Sequence, residues 1–310
     1  LLGIEDNPMD KPLVDVIRTP PLVRLVRGDL EDEEREVEFQ TGSTPQKTLL
    51  ARLSPQRISG GNILVIQDIT ALRRLESARQ DFVANVSHEL RTPVSIIRGA
   101  AENLEEGAMD EPVMARRFLE SILRNSNRLS LLISDLLELS RLDSGTTTLE
   151  ALPIGLQSVA DAVIESLSDR ILAKNVAVMV DIDPKHLIIG DPMGIEQILT
   201  NLIDNALKYG ASPGQINVRS RPNESGILVS VEDDGPGVAP SHRTRVFERF
   251  FRVDPGRARK DGGTGLGLAI VKHLVLSMNG TIWLEESTRG GCRFCFELPR
   301  PEHGEVEIES

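Results

Sequence analysis

The sequence predicts a multidomain α+β protein, and three observations carry that reading. Apolar residues repeat at steps of three and four across residues 69–142, strand-like and helix-like segments alternate beyond residue 149, and the chain before residue 69 is a series of short apolar runs broken by proline. With 310 residues there is room for about two ordinary domains and a sizeable core. The 35 Lys plus Arg against 47 Asp plus Glu give a formal charge of −12. That balance argues against a dedicated nucleic-acid or anionic-membrane binder, which would display a basic face.

In residues 1–68, Pro8, Pro12, Pro20, Pro21, Pro45 and Pro55, with Gly60 and Gly61, punctuate the apolar stretches, which reads as short strands and turns. GNILVIQDIT forms the last of these strands and leads into a charged helix, ALRRLESARQDF. The stretch resembles the second half of a PAS sensor domain, including its Asp68-Ile69-Thr70 ending, and the resemblance implies a partial PAS-like α/β sensor segment over 1–68.

From residue 69 a seven-residue repeat takes in Ile69, Leu72, Val83, Val86, Leu90, Ile97, Ala100 and Leu104, interrupted by Glu76, Arg79 and Pro93. After Pro112 it resumes through Ala115, Phe118, Ile122, Leu129, Leu132, Leu136 and Leu139, with Asn125 as the polar seam residue. Two such stripes predict an antiparallel helical hairpin over 69–148. One hairpin cannot enclose both seams, so two copies should pair through residues 69–142 into a dimeric four-helix bundle. A monomeric helical pair is the plainer alternative.

Beyond Asp143-Ser144-Gly145 the segments VAVMVDI, LIIG, GQINVRSR, GILVSVED, GTIWLEES and CRFCFELP read as strands, and 191–209 and 265–279 as helices. Helices packed on a mixed sheet make residues 149–300 an α/β sandwich, followed by an acidic tail, 301–310, with too few apolar groups to fold alone. The only two cysteines, Cys292 and Cys295, fall on opposite faces of one strand, which excludes a metal or disulfide pair and fits a reducing compartment. No apolar run reaches the roughly 18 to 20 residues needed to span a bilayer. Because the chain begins LLGIEDNP rather than with Met, the expectation is a cytoplasmic portion of an inner-membrane sensor, attached only through segments absent from this chain.

The chemistry begins at Ser87-His88-Glu89-Leu90-Arg91-Thr92-Pro93. His88 lies off the apolar seam, about 200° from Val86 and from Leu90, and so faces solvent. A lone histidine on a polar helix face is ordinarily just solvated, but here Thr92 stacks one turn above it and Glu89 beside it can bond an imidazole nitrogen. Pro93 removes a helical donor and should kink the helix next to the histidine. This box resembles the phosphoacceptor box of sensor histidine kinases. The resemblance implies His88 as nucleophile, Glu89 as general base and Thr92 as the positioner of water when phosphoryl is removed from a partner. Neutral imidazole is abundant near pH 7 and is a competent nucleophile.

A second constellation is Asn201, Asn205 and Lys208 on one helix face, followed by Tyr209. Carboxamide oxygens suit a partly hydrated Mg²⁺ that also holds phosphate, and a lysine adds a point charge, although the same residues could form a solvated face. The segment resembles the N box of the same family, which implies Asn205 as the Mg²⁺ ligand and Asn201, Lys208 and Tyr209 as its nucleotide-binding neighbours.

Two glycine loops follow. Asp233-Asp234-Gly235-Pro236-Gly237 turns sharply after a strand, and Gly262-Gly263-Thr264-Gly265-Leu266-Gly267 opens a helix, where free N–H groups suit phosphate. A dinucleotide fold is excluded, because GGTGLG does not follow the first strand of a βαβ unit. In the resembled family Asp233 receives the adenine amino group, Gly235 and Gly237 shape its loop, and Gly263, Thr264, Gly265, Leu266 and Gly267 border the phosphates of ATP. Between the loops, FERFFR and the basic VDPGRARKDGG read as a lid, or as a plain surface loop, and the family implies that Arg257, Arg259 or Lys260 reach the phosphates.

All four motifs occur in the order found in sensor histidine kinases, most similar to the PhoR-type phosphate-regulon kinases, over residues 69–299. The resemblance implies an ATP-binding domain of the gyrase and histidine-kinase type that phosphorylates His88 from Mg-ATP. It further implies transfer to an aspartate of a response-regulator receiver domain, and dephosphorylation of that regulator. A gyrase-, MutL- or chaperone-like ATPase would lack the histidine-bearing hairpin, and a catalytically silent signalling scaffold of the same fold would need none of the intact motifs.

Overall fold

The computed structural model describes residues 19–27, 36–42, 44–55, 62–144, 149–254 and 263–301. They belong to two compact units, Leu1–Val86 and Ser87–Ser310. The acidic tail beyond Pro301 lies outside the described residues.

The first unit carries α1 (Pro20–Arg27) and an antiparallel meander of β1 (Glu36–Gln40), β2 (Thr48–Pro55) and β3 (Asn62–Asp68). The helix corrects the expectation of strands and turns only. Pro20 and Pro21 fall in its first turn, where the missing N–H groups cost nothing, and Leu22 and Leu25, one turn apart, bury against Phe39, Leu49 and Ala51. Asp68 Oδ1 accepts from the Thr70 backbone N–H at 3.0 Å, and Thr70 Oγ1 accepts from the Thr48 N–H at 2.9 Å, so the Asp-Ile-Thr ending fastens a helix start to the sheet.

α2 (Thr70–Glu105) continues from this unit into the second and runs as one helix through Pro93. Gly107, at φ 120, opens the reversal, a 3-10 turn spans Ala108–Asp110, and Pro112 begins α3 (Pro112–Asp143). On α3 the fully packed positions are Leu132, Asp135, Leu139 and Leu142, a three-four spacing that places one carboxylate in an apolar stripe.

The rest of the second unit contains β4 (Leu152–Gly155), α4 (Leu156–Ser166), α5 (Ser168–Lys174), β5 (Val176–Asp181), β6 (Leu187–Gly190), α6 (Pro192–Tyr209), β7 (Gly214–Pro222), β8 (Ile227–Glu232), α7 (Gly267–Ser277), β9 (Thr281–Glu286) and β10 (Cys292–Leu298). The five-stranded sheet runs β5-β7-β8-β10-β9, with β5 parallel to β7 and the other pairs antiparallel, while β4 and β6 form a separate ribbon. The connection between the parallel strands contains α6. Helix α6 packs on α4 and α7, and α6 and α7 lie against the sheet. Their core is Leu156, Ile195, Ile198, Leu202, Ile203 and Ile270 over Val218, Val229 and Phe296, all at or near zero exposure. No helix of the described residues is long and apolar enough to cross a membrane.

Candidate active site

α6 starts at a well-made cap: Asp191 Oδ2 accepts from the Gly194 N–H at 2.8 Å and Pro192 occupies the first turn. Because its apolar positions are spent on the core, Asn201, Asn205, Lys208 and Tyr209 are left on the edge that lines a cavity of about 290 Å³. Asp233 and Gly237 line the same cavity, as do Gly263, Thr264, Gly265 and Gly267 at the start of α7. Gly235 and Leu266 are not among the residues that line it. The Gly235 N–H donates to Asp233 Oδ1 at 2.8 Å, and Leu266 is fully buried with its N–H on Thr264 Oγ1 at 3.2 Å. Arg257, Arg259 and Lys260 lie outside the described residues.

Asp233 is buried in the cavity wall, and desolvation pushes its pKa up, opposed by the N–H groups of Gly235 and Cys292 that both donate to Oδ1. Cys292 and Phe294 also line the cavity. Burial raises the Cys292 thiol to about 12, so it is a neutral, weakly polar wall at physiological pH. Cys295 is also buried and both thiols are free.

The α6 side of the cavity is polar. Lys208 Nζ pairs with Asp204 Oδ2 at 2.7 Å, and Asn201 Nδ2 is buried without a hydrogen-bond partner among the described residues. A buried amide donor is costly to leave unpaired, so its wall fits a ligand that brings acceptors. Among the described residues no group of three or more His, Cys, Asp or Glu side chains could hold a metal ion. A cation near the Asn205 carboxamide therefore fits only together with a ligand supplying its own oxygens.

His88 is exposed on α2. The Thr92 hydroxyl donates to the His88 backbone carbonyl at 3.2 Å. Glu89 is not turned to the imidazole, as the sequence suggested. Its Oε2 accepts from Arg128 Nη2 at 2.8 Å and from Arg252 Nη2 at 3.1 Å, in a partly desolvated cluster with two guanidinium groups.

The hairpin also enters the cavity wall. Leu131 and Asp135 of α3 line it, and Asp135 Oδ2 accepts from Thr264 Oγ1 at 2.6 Å. Further along α3, Glu138 accepts from Gln197 Nε2 at 3.3 Å and Asp143 from Arg249 Nη2 at 2.7 Å. Burial raises the pKa of both Asp135 and Glu138. Sequence reasoning missed Asp135 and Arg252 as site residues. The signal for Asp135 was its three-four spacing between Leu132 and Leu139; Arg252 stood in the lid segment with nothing local to assign its partner.

Comparison with known proteins agrees with this geometry. Residues 190–302 match the family described as histidine kinase-, DNA gyrase B- and HSP90-like ATPase, and residues 78–145 match the His kinase A phospho-acceptor domain. The second match sets the chain apart from a gyrase- or chaperone-like ATPase. The chain is 39% identical over 241 residues to the sensor-like histidine kinase SenX3 of Mycolicibacterium smegmatis, covering 76% of this chain and 62% of that protein. It is 31% identical to the phosphate regulon sensor protein PhoR of Pseudomonas aeruginosa over 99% of this chain and 69% of the relative. Among solved structures, full-length ShkA in complex with AMPPNP superposes with a TM-score of 0.52 at 30% identity, covering 71% of this chain and 45% of that one. The chain spans 62 to 66% of the length of the SenX3 relatives. A phospho-acceptor hairpin followed by an ATPase-type sandwich, with identity running along nearly the whole chain, makes this a member of the sensor histidine kinase family.

Proposed function

We propose that this chain binds Mg-ATP in the cavity between α6 and the glycine loops and phosphorylates its own His88. The observation that carries the reading is the pairing, in one compact unit, of an exposed imidazole with a cavity whose walls combine a buried carboxylate, two carboxamides, a lysine and a glycine-rich helix start. Asp233 suits the adenine amino group, because its buried carboxylate is held in place by backbone donors on a single oxygen. Asn205, with Asn201 and Lys208, suits Mg²⁺ and the phosphates, and the family relative ShkA was solved with AMPPNP. Magnesium would neutralise phosphate charge there.

In the transfer, the imidazole nitrogen of His88 forms an N–P bond to the γ-phosphorus as the bond to ADP breaks, and Glu89 takes the nitrogen's proton. Positioning and charge neutralisation supply most of the rate, and the base contributes about 10² to 10⁴. For Glu89 to act, Arg252 must let go of it. The phosphohistidine then passes its phosphoryl group to an aspartate of a response-regulator receiver domain, with Thr92 orienting water when that aspartyl phosphate is hydrolysed.

The hairpin is proposed to dimerise. Leu119, Leu123, Ile133 and Leu137 of α3 are more than 40% exposed in the single chain, an apolar stripe that a second copy would cover. Membrane attachment through segments outside this chain and a sensory role for residues 1–68 belong to the same reading.

The test is incubation of the purified chain with γ-labelled ATP. The expected product is acid-labile and alkali-stable, absent in His88→Gln and much reduced in Asn205→Asp. Label surviving His88→Gln would overturn the assignment.

A further inference from the structure

We infer that two carboxylates of the helical hairpin, Asp135 and Glu89, occupy donors that the phosphates of a nucleotide would take, so that docking of the hairpin and binding of a triphosphate compete. The inference rests on the reading of the cavity as a nucleotide site and assigns its regulation. Thr264, in the glycine loop, gives its hydroxyl to Asp135 Oδ2 at 2.6 Å, and both residues are buried. Arg252 gives one guanidinium nitrogen to the Gly263 carbonyl at 2.7 Å and to Glu89 Oε2 at 3.1 Å, with its side chain only 9% exposed. Thr264 and Arg252 both line the cavity beside Gly263 and Gly265, and so does the Asp135 carboxylate itself.

A hydroxyl and a planar guanidinium converging on carboxylate oxygens are the donors that would equally well hold phosphate oxygens, and a guanidinium matches phosphate in two-pronged geometry. A triphosphate arriving at the glycine loop meets the Asp135 charge in a low-dielectric wall and finds the Thr264 hydroxyl and Arg252 Nη2 engaged. The two donors are also mechanically tied. The Phe250 N–H donates to the Gly265 carbonyl at 2.8 Å, and both residues sit in the left-handed region, at φ 62 and φ 76. Taking Arg252 to the nucleotide therefore shifts the glycine loop that carries Thr264, and it frees Glu89 from one of its two arginines. Occupation of the site and release of the base beside His88 become one event, and by linkage the hairpin weakens nucleotide as much as nucleotide weakens docking.

The experiment is calorimetric titration of the full chain with AMPPNP and with ADP, each with Mg²⁺, in wild type and Asp135→Asn. The variant keeps an acceptor for Thr264 and removes the charge. The expected result is tighter AMPPNP binding by about 10-fold and a smaller gain for ADP, which lacks the outermost phosphate. Unchanged or weaker AMPPNP binding, or an equal gain for both nucleotides, would overturn the inference while leaving the nucleotide site standing. Failure of the wild type to bind either nucleotide would remove that site and the inference with it. Should Asp135→Asn not fold, amide exchange of residues 131–139 in wild type decides: AMPPNP should speed it, and slower or unaltered exchange overturns the competition.

Discussion

Arg128 on α3 faces Glu89 on α2 across the hairpin, with Nη2 2.8 Å from Oε2 and both side chains less than a fifth exposed. The pair ties the two helices at the level of His88. Truncation as Arg128→Met leaves Glu89 with Arg252 alone. The expected cost lies between about 1 kcal/mol for an exposed pair and about 3 kcal/mol for a buried one, read as a lower urea midpoint for the full chain.

Glu89→Gln separates holding from proton transfer. The amide retains an oxygen for the arginines but cannot take a proton, so autophosphorylation should slow by about 10² to 10⁴ while AMPPNP binding persists. A labelling time course alongside calorimetry checks both halves, and loss of nucleotide binding would contradict the division of roles.

Burial raises the pKa of Asp135, and that of Glu138, which the Asp135 charge raises further. A carboxylate whose folded pKa exceeds its unfolded value penalises the folded state above the folded pKa. The penalty fades as pH falls through that value towards the unfolded pKa of about 4. Asp135→Asn removes the penalty, so its melting temperature should exceed that of wild type at pH 7, and the difference should shrink as pH approaches 4. Scanning calorimetry across that range reads the sign directly, and a difference that grows on acidification would contradict it.

Gly265 sits at φ 76, and a β-carbon there would come within 3.0 Å of the Phe250 Cα. Gly265→Ala should cost about 1 to 2 kcal/mol from the backbone conformation alone, and more if the loop cannot yield. It should also displace Arg252, so ATP affinity should fall along with stability, whereas Gly290→Ala, at φ 91 with open space around it, should affect stability only.

Much of the second unit was legible because its signals are local. Alternation placed Cys292 and Cys295 on opposite faces of β10, and helical spacing put Asn201, Asn205 and Lys208 on one face of α6. Helix α1 was hidden by two prolines that read as breakers but fall where a helix tolerates them. The cavity-lining residues of α6 were visible because the helix spends its other faces on the core. The contacts that reorganise the site were not, since Arg252 and Glu89 are separated by 163 positions and Thr264 and Asp135 by 129. No periodicity encodes a meeting between elements so distant; only the docking of the hairpin on the sandwich brings them together.

The parallel pairing of β5 with β7 bears on how the protein is made. A parallel pair needs a long crossover, and α6 lies within it, so the strands cannot zip until some thirty intervening residues have been gathered in. Such pairings form slowly, because closure entropy is spent before any contact repays it. The asparagines of α6 are therefore aligned only when this crossover closes, and a half-folded or truncated chain ending before β7 would carry the right residues on a helix with nothing opposite them.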